Sequence, residues 1–135
     1  MKKLLSLCLI TFLCLILVGC GKEDFLGNWS ANSGMHKPTG EDTIYLSSAD
    51  LENIKLQINK DKTFTFNFSD NSYEGKYKVD DKKHGSYDVF LNDKKELTGG
   101  LIYSSKDANH ASYDSISFTL ILENDIIEVE FRRWN

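Results

Sequence analysis

The chain has 135 residues, 16 basic and 20 acidic side chains, a net charge of −4 and 41% hydrophobic residues. That is enough for one domain with a core of its own. A negative chain with scattered charge excludes a nucleic-acid partner and offers no basic patch to anionic lipid.

The chain opens on Met1-Lys2-Lys3, runs through a largely apolar stretch from Leu4 to Val18 and reaches Gly19-Cys20. A basic start, a short apolar stretch and a small residue at its end are the parts of a secretory signal. The stretch falls short of the roughly 20 residues a membrane-spanning helix needs. Leu17-Val18-Gly19-Cys20 resembles the lipobox of bacterial lipoproteins. That resemblance implies cleavage before Cys20 and a diacylglyceryl thioether on its sulfur, with acyl chains such as palmitate; two chains anchor stably where one is marginal. Residues 1–19 are then a removed signal peptide, 20–24 a lipidated cysteine with a short tether, and 25–135 the folded domain. Losing Lys2 and Lys3 takes the net charge from −4 to −6. Cys8 and Cys14 leave with the signal, so no disulfide, thiol nucleophile or cysteine metal site remains. The expected location is outside the cytoplasm, lipid-anchored to the cell membrane or outer membrane. Gly21, where enteric lipoproteins retained at the inner membrane carry aspartate, lacks that retention signal.

Beyond the tether the sequence alternates apolar and polar residues, the period of a strand with one buried face. A first strand is expected over Phe25–Ala31. Ile54, Leu56 and Ile58 mark the next, then Phe64, Phe66 and Phe68. Tyr73, Tyr77 and Val79 mark a further strand, followed by Tyr87, Val89 and Leu91, and by Leu101 and Tyr103. Ile116, Phe118, Leu120 and Leu122 precede the last set, Ile127, Val129 and Phe131. Polar clusters at Asn59–Lys62, Ser69–Asn71, Asp80–Gly85 and Glu123–Asp125 supply the turns, and Gly99-Gly100 reads as a bend or bulge before a strand. Ser47–Asn53 is expected to form one helical turn, and Thr43–Leu46 a strand or a lid. About eight short strands make an all-β sandwich or barrel. In the last hairpin a two-residue loop at Asn124-Asp125 would pair Leu120 with Val129, Phe118 with Phe131 and Ile116 with Arg133. Every large apolar residue then faces inward, as does Arg133, which needs a partner there.

Phe25-Leu26-Gly27-Asn28-Trp29 places Gly-x-Trp on the first strand, and Arg133 stands near the end of the last. This pair, with Gly75-Lys76-Tyr77 and Phe131-Arg132-Arg133 in the same order, resembles the small bacterial lipocalin-like (calycin-type) lipoproteins. The resemblance implies a small antiparallel up-and-down β-barrel of about eight strands, with Trp29 plugging one end and Arg133 packed across its indole beside Gly27. It also implies binding of a small apolar ligand, for which Tyr73, Tyr77, Tyr87 and Tyr103 are the candidate residues. The domain is shorter than a typical secreted lipocalin, and a tighter barrel is filled by its own side chains. That leaves a second reading open: a protein-interaction module, such as an inhibitor or an envelope-assembly factor, acting through loops or an outer patch of Phe90, Ile102, Ile121 and Trp134.

Signs of catalysis are weak. No Gly-x-Ser-x-Gly elbow, Gly-rich phosphate loop or poised carboxylate pair occurs, no motif requires a cofactor, and the protein is expected not to be an enzyme. His84 with Asp80 or Asp81, and His110 with Asp107, match no metal-ligand spacing, so His36, His84 and His110 are expected to be solvated loop residues without metal.

Overall fold

The structure, a computed structural model, describes residues 25–105 and 112–134. In chain order the strands are β1 (Gly27–Pro38), β2 (Ile44–Tyr45), β3 (Lys55–Ile58), β4 (Thr63–Phe68), β5 (Asn71–Asp81), β6 (Ser86–Leu91), β7 (Gly99–Ser104), β8 (Tyr113–Ile121) and β9 (Asp125–Trp134). A short helix, α1 (Ser48–Glu52), lies between β2 and β3, and a single 3-10 turn, Lys82–His84, between β5 and β6. Apart from the insertion between β1 and β3, each strand pairs antiparallel with the next, and β1 pairs with β9 to close the sheet. The result is an eight-stranded antiparallel β-barrel with β2 as an added strand on the far half of β1. Closure removes the free edges that an open sheet would expose.

The expected alternation sets which side chains fill the barrel. β4 reads intermediate–buried throughout, with Phe64, Phe66 and Phe68 inward. Phe66, Phe118, Phe131, Leu56, Ile116 and Leu120 are fully enclosed. Phe66 and Phe118 meet at 4.8 Å between ring centroids, Phe64 and Phe118 at 5.5 Å, and Phe66 and Phe131 at 6.3 Å. Aromatic rings carry large burial per residue and favour such tilted or edge-on contacts. An eight-stranded barrel is just wide enough to be filled this way.

Three local readings are corrected. β1 runs on past Ala31 to Pro38, because its second half is held by β9 along one edge and by β2 along the other. A register shift between Ala31 and Ser33 accommodates the extra Asn32, which hid the strand from an alternation argument. Gly99 and Gly100 are not a bend before β7 but its first two residues, paired with Leu120 and Thr119. The last turn sits at Glu123-Asn124, one residue earlier than expected: Ile121 pairs with Ile126, and Leu122 N–H donates to the Asp125 carbonyl at 2.8 Å. The register therefore moves by two, and Leu120 faces Ile127, Phe118 faces Val129 and Ile116 faces Phe131. A shift of two keeps every side chain on its expected face, which is why the apolar pattern alone did not distinguish the two registers.

The segment between β1 and β3 forms both elements expected of it. Ser47 N-caps α1: its hydroxyl accepts from the Asp50 N–H, and the Asp50 carboxylate accepts from the Ser47 N–H at 3.0 Å, a reciprocal capping box. Leu46 and Leu51 pack against the core, so this segment folds over one end of the barrel.

Candidate functional site

The two ends of the barrel differ in construction. At the end where β1 begins and β9 finishes, Trp29 is buried and its indole N–H donates to the Phe25 carbonyl at 2.7 Å. The Arg133 guanidinium carbon lies 4.0 Å from the Trp29 ring centroid. Its Nη2 donates to the Leu26 carbonyl at 2.8 Å and the Asn28 carbonyl at 3.3 Å. One side chain thus covers the indole and ties down the entering chain. Gly27 stands between them with φ of +101°, a conformation that favours glycine, and a Cβ there would sit 3.4 Å from Arg133 Nη2. Gly27, Trp29 and Arg133 accordingly form one closed end.

Asp114 is the residue that sequence reasoning missed. With the register moved by two it stands directly opposite Arg133 on the ladder, facing inward and buried. Its signal was present, since Asp114 continues the inward series of Ile116, Phe118 and Leu120, but a polar residue at the start of a strand looks like the end of the pattern.

The four candidate tyrosines separate. Tyr77, Tyr87 and Tyr103 surround Phe25 at the closed end, with centroid distances of 5.6, 4.9 and 5.8 Å. The Tyr77 hydroxyl donates to the Asn59 carbonyl at 2.9 Å, and Tyr103 meets Trp29 edge-on at 6.3 Å. These three are walls of the plug. Tyr73 lies at the opposite end, with its ring stacked on Phe66 at 6.2 Å. Burial pushes its hydroxyl above the ordinary tyrosine range, and the nearby Asp125 carboxylate adds to the rise.

That opposite end is the barrel mouth. A cleft of about 570 Å³ opens there, between the β1–α1 segment and the β4–β5 turn. Leu46, Ile54 and Phe68 form its apolar wall, and His36, Asp50 and Asp70 its polar margin. His36 Nδ1 pairs with Asp125 Oδ2 at 3.1 Å, and its ring meets Phe68 edge-on at 5.7 Å. Asp125 Oδ1 is buried and has no hydrogen-bond partner in the protein. The Ser47 N–H, and then its hydroxyl, hold the Asp50 carboxyl below its ordinary range. With Asn53 and Ser69 added to the polar margin, the cleft is more polar than apolar, and it has the size of a small-molecule site with an apolar wall on one side.

Of the histidines, His36 is at the mouth, not on a solvated loop: it lies within β1, partly buried. His84 Nδ1 pairs with Asp81 Oδ2 at 2.6 Å on the exposed 3-10 turn. No group of three metal-ligating side chains occurs among the described residues. His110 and Asp107 lie outside the described residues, as do Cys20 and the tether.

The expected outer patch does not assemble. Ile121 and Trp134 stand at opposite ends of the β8–β9 hairpin, eight residues or about 26 Å apart by strand rise. Ile121 instead faces Ile126 across the ladder, while Trp134 packs edge-on to Tyr113 at 4.9 Å. Phe90 is half-buried, with the Lys78 ammonium 5.4 Å from its ring centroid.

The chain is therefore a closed antiparallel β-barrel with one sealed end and one cleft end. No protein-family model and no curated protein matches its sequence. Among solved structures it is similar to a crystal structure of a DUF4847 family protein from Bacteroides vulgatus, with 12% identity, a TM-score of 0.40, and coverage of 78% of this chain and 91% of that one.

Proposed function

We propose that this is a lipid-anchored, non-enzymatic binding protein facing outward from the cell membrane or outer membrane, and that it takes a small, partly apolar ligand at the barrel mouth. The observation that carries this reading is the cleft of about 570 Å³ at the end away from Trp29 and Arg133. The barrel interior is filled by Phe66, Phe118 and Phe131, so the ligand site moves from the interior, where a lipocalin-like resemblance would put it, to the rim. Tyr73 is the one candidate tyrosine on that side.

The test is native mass spectrometry of the mature lipoprotein taken from its own host's envelope. A reproducible added mass, lost on denaturation, is expected. Leu46→Glu puts a charge into the apolar wall and should abolish it. A bare protein mass from several gentle preparations would count against the reading. Anchoring has its own test: Cys20→Ser should leave the precursor unlipidated and out of its normal membrane fraction, and normal fractionation of that variant would refute it.

The filled interior also supports a second reading, a protein-interaction module. Its surface would be the exposed Ile121–Ile126 pair beside the mouth, not the dispersed patch. Crosslinking from Ile121 in the envelope distinguishes the two, since a single protein partner there favours this second reading.

A further inference from the structure

The charges look scattered along the sequence, but the topology sorts them. The mouth connections, residues 39–54, 69–70, 92–98 and 122–124, hold eight carboxylates against Lys94 and Lys95. At the closed end, the described connections 59–62 and 82–85 hold Lys60, Lys62, Lys82 and Lys83 against Asp61. All four lysines are exposed. Asp80 and Asp81 finish β5 beside them, and Asp81 is engaged by His84 and by the Lys83 N–H at 3.1 Å. Counting Asp61, Asp80 and Asp81 against the four lysines, these closed-end residues carry one net positive charge, while the mouth connections carry six net negative ones.

The same closed rim carries amphipathic aromatics. Trp134 is 63% exposed on the outer wall and packs against Tyr113. The Arg132 guanidinium lies 4.2 Å from the Tyr113 ring centroid. Tryptophan and tyrosine favour the level of lipid headgroups, where one part of the ring is apolar and another wet. Lysines near an anionic leaflet are drawn to its negative surface potential.

The tether is short. Only Gly21–Asp24 separates Cys20 from Phe25, which is packed into the closed end. Five residue steps span at most about 18 Å. A lipid on Cys20 therefore keeps the closed end, and never the mouth alone, beside the headgroups.

We propose that the closed end is a membrane-docking face, on which Trp134, Tyr113 and Lys60, Lys62, Lys82 and Lys83 rest against an anionic bilayer and hold the acidic mouth outward. This rests on the lipid-anchor reading. The anchor fixes the distance, and the docking face fixes the orientation.

The experiment uses the mature lipoprotein from its host, reconstituted in phosphatidylcholine–phosphatidylglycerol vesicles with brominated acyl chains. Trp134 emission should be lost to bromine quenching, while buried Trp29 acts as the internal reference. Trp134→Phe should remove the bromine-dependent loss. Replacing the four lysines with glutamate, all at exposed positions, should weaken quenching without lowering the melting temperature, and pure phosphatidylcholine vesicles should weaken it too. A lipidated protein unquenched in anionic vesicles, or quenched equally with the lysines reversed, would overturn the docking face and leave the anchor standing. A mature mass without lipid would overturn the anchor and the docking face together.

Discussion

Replacing Trp29 with alanine is expected to destabilise the barrel by roughly 3–5 kcal/mol, the usual cost of emptying a buried aromatic site. For a domain of this size a kilocalorie is worth roughly 4 °C, so the melting temperature should fall by about 12–20 °C. The reasons are specific to the closed end. The indole is almost wholly buried, its N–H satisfies the Phe25 carbonyl, and its face supports Arg133. Without it, the Phe25 carbonyl loses its donor and Tyr103 its edge-on partner. Arg133→Ala should cost less, roughly 1–3 kcal/mol, because the guanidinium is only partly buried and the carbonyls of Leu26 and Asn28 can turn to water. Trp134→Ala, at an exposed tryptophan, is the control and should change the melt little. A melting temperature unchanged in both Trp29→Ala and Arg133→Ala would show that the end-plug does not hold the barrel together.

Gly75→Ala is the second substitution with a large expected effect, although it adds a single methyl group. Gly75 lies on β5 opposite Phe64 on one side and Leu91 on the other. A Cβ there would fall on the Phe90 carbonyl oxygen, well inside contact distance, and 2.7 Å from the Phe64 ring. The carbonyl belongs to the ladder and cannot swing away, and the Phe64 ring is wedged against Phe118. Overpacking of this kind typically costs about 1–3 kcal/mol. The upper part of that range is expected here, because backbone and ring must both move. Urea denaturation of the purified domain should show a lower midpoint with an unchanged slope. An unchanged midpoint would mean that the strand spacing at β5–β6 is looser than described.

Much of this barrel was legible because period-2 alternation is a local signal. Phe64, Phe66 and Phe68 announce an inward face without reference to any other strand, and so do Ile116, Phe118 and Leu120. What stayed hidden depended on partners distant in sequence. Asn32 breaks the alternation of β1, and only pairing with β9 shows that the strand continues. Asp114 acquires meaning only once Arg133 is opposite it, two places from the pairing that the hairpin pattern suggested. The tyrosines illustrate the same limit. All four were expected to be inward, but alternation gives the face of a strand and not the height along the barrel, so Tyr77, Tyr87 and Tyr103 could not be told from Tyr73. The mouth cleft was illegible for a related reason. It joins His36 on β1, Leu46 and Asp50 before β3, and Phe68 at the end of β4, which only the folded-over segment brings together.

The β1–β9 seam also sets the order of events in folding. Its pairs, Ser30 with Arg132 through Pro38 with Asp125, join the first strand of the barrel to the last. Contacts of such long range are slow to form, because the chain must lose the freedom of the whole intervening loop before they contribute. Until the ten residues of β9 arrive, one edge of β1 has no neighbour and offers its backbone to any passing strand. Completion is therefore sudden and late: a chain lacking only its last strand is an open, adhesive sheet, and the interval before that strand is in place is when the nascent protein most needs to be kept apart from its own kind.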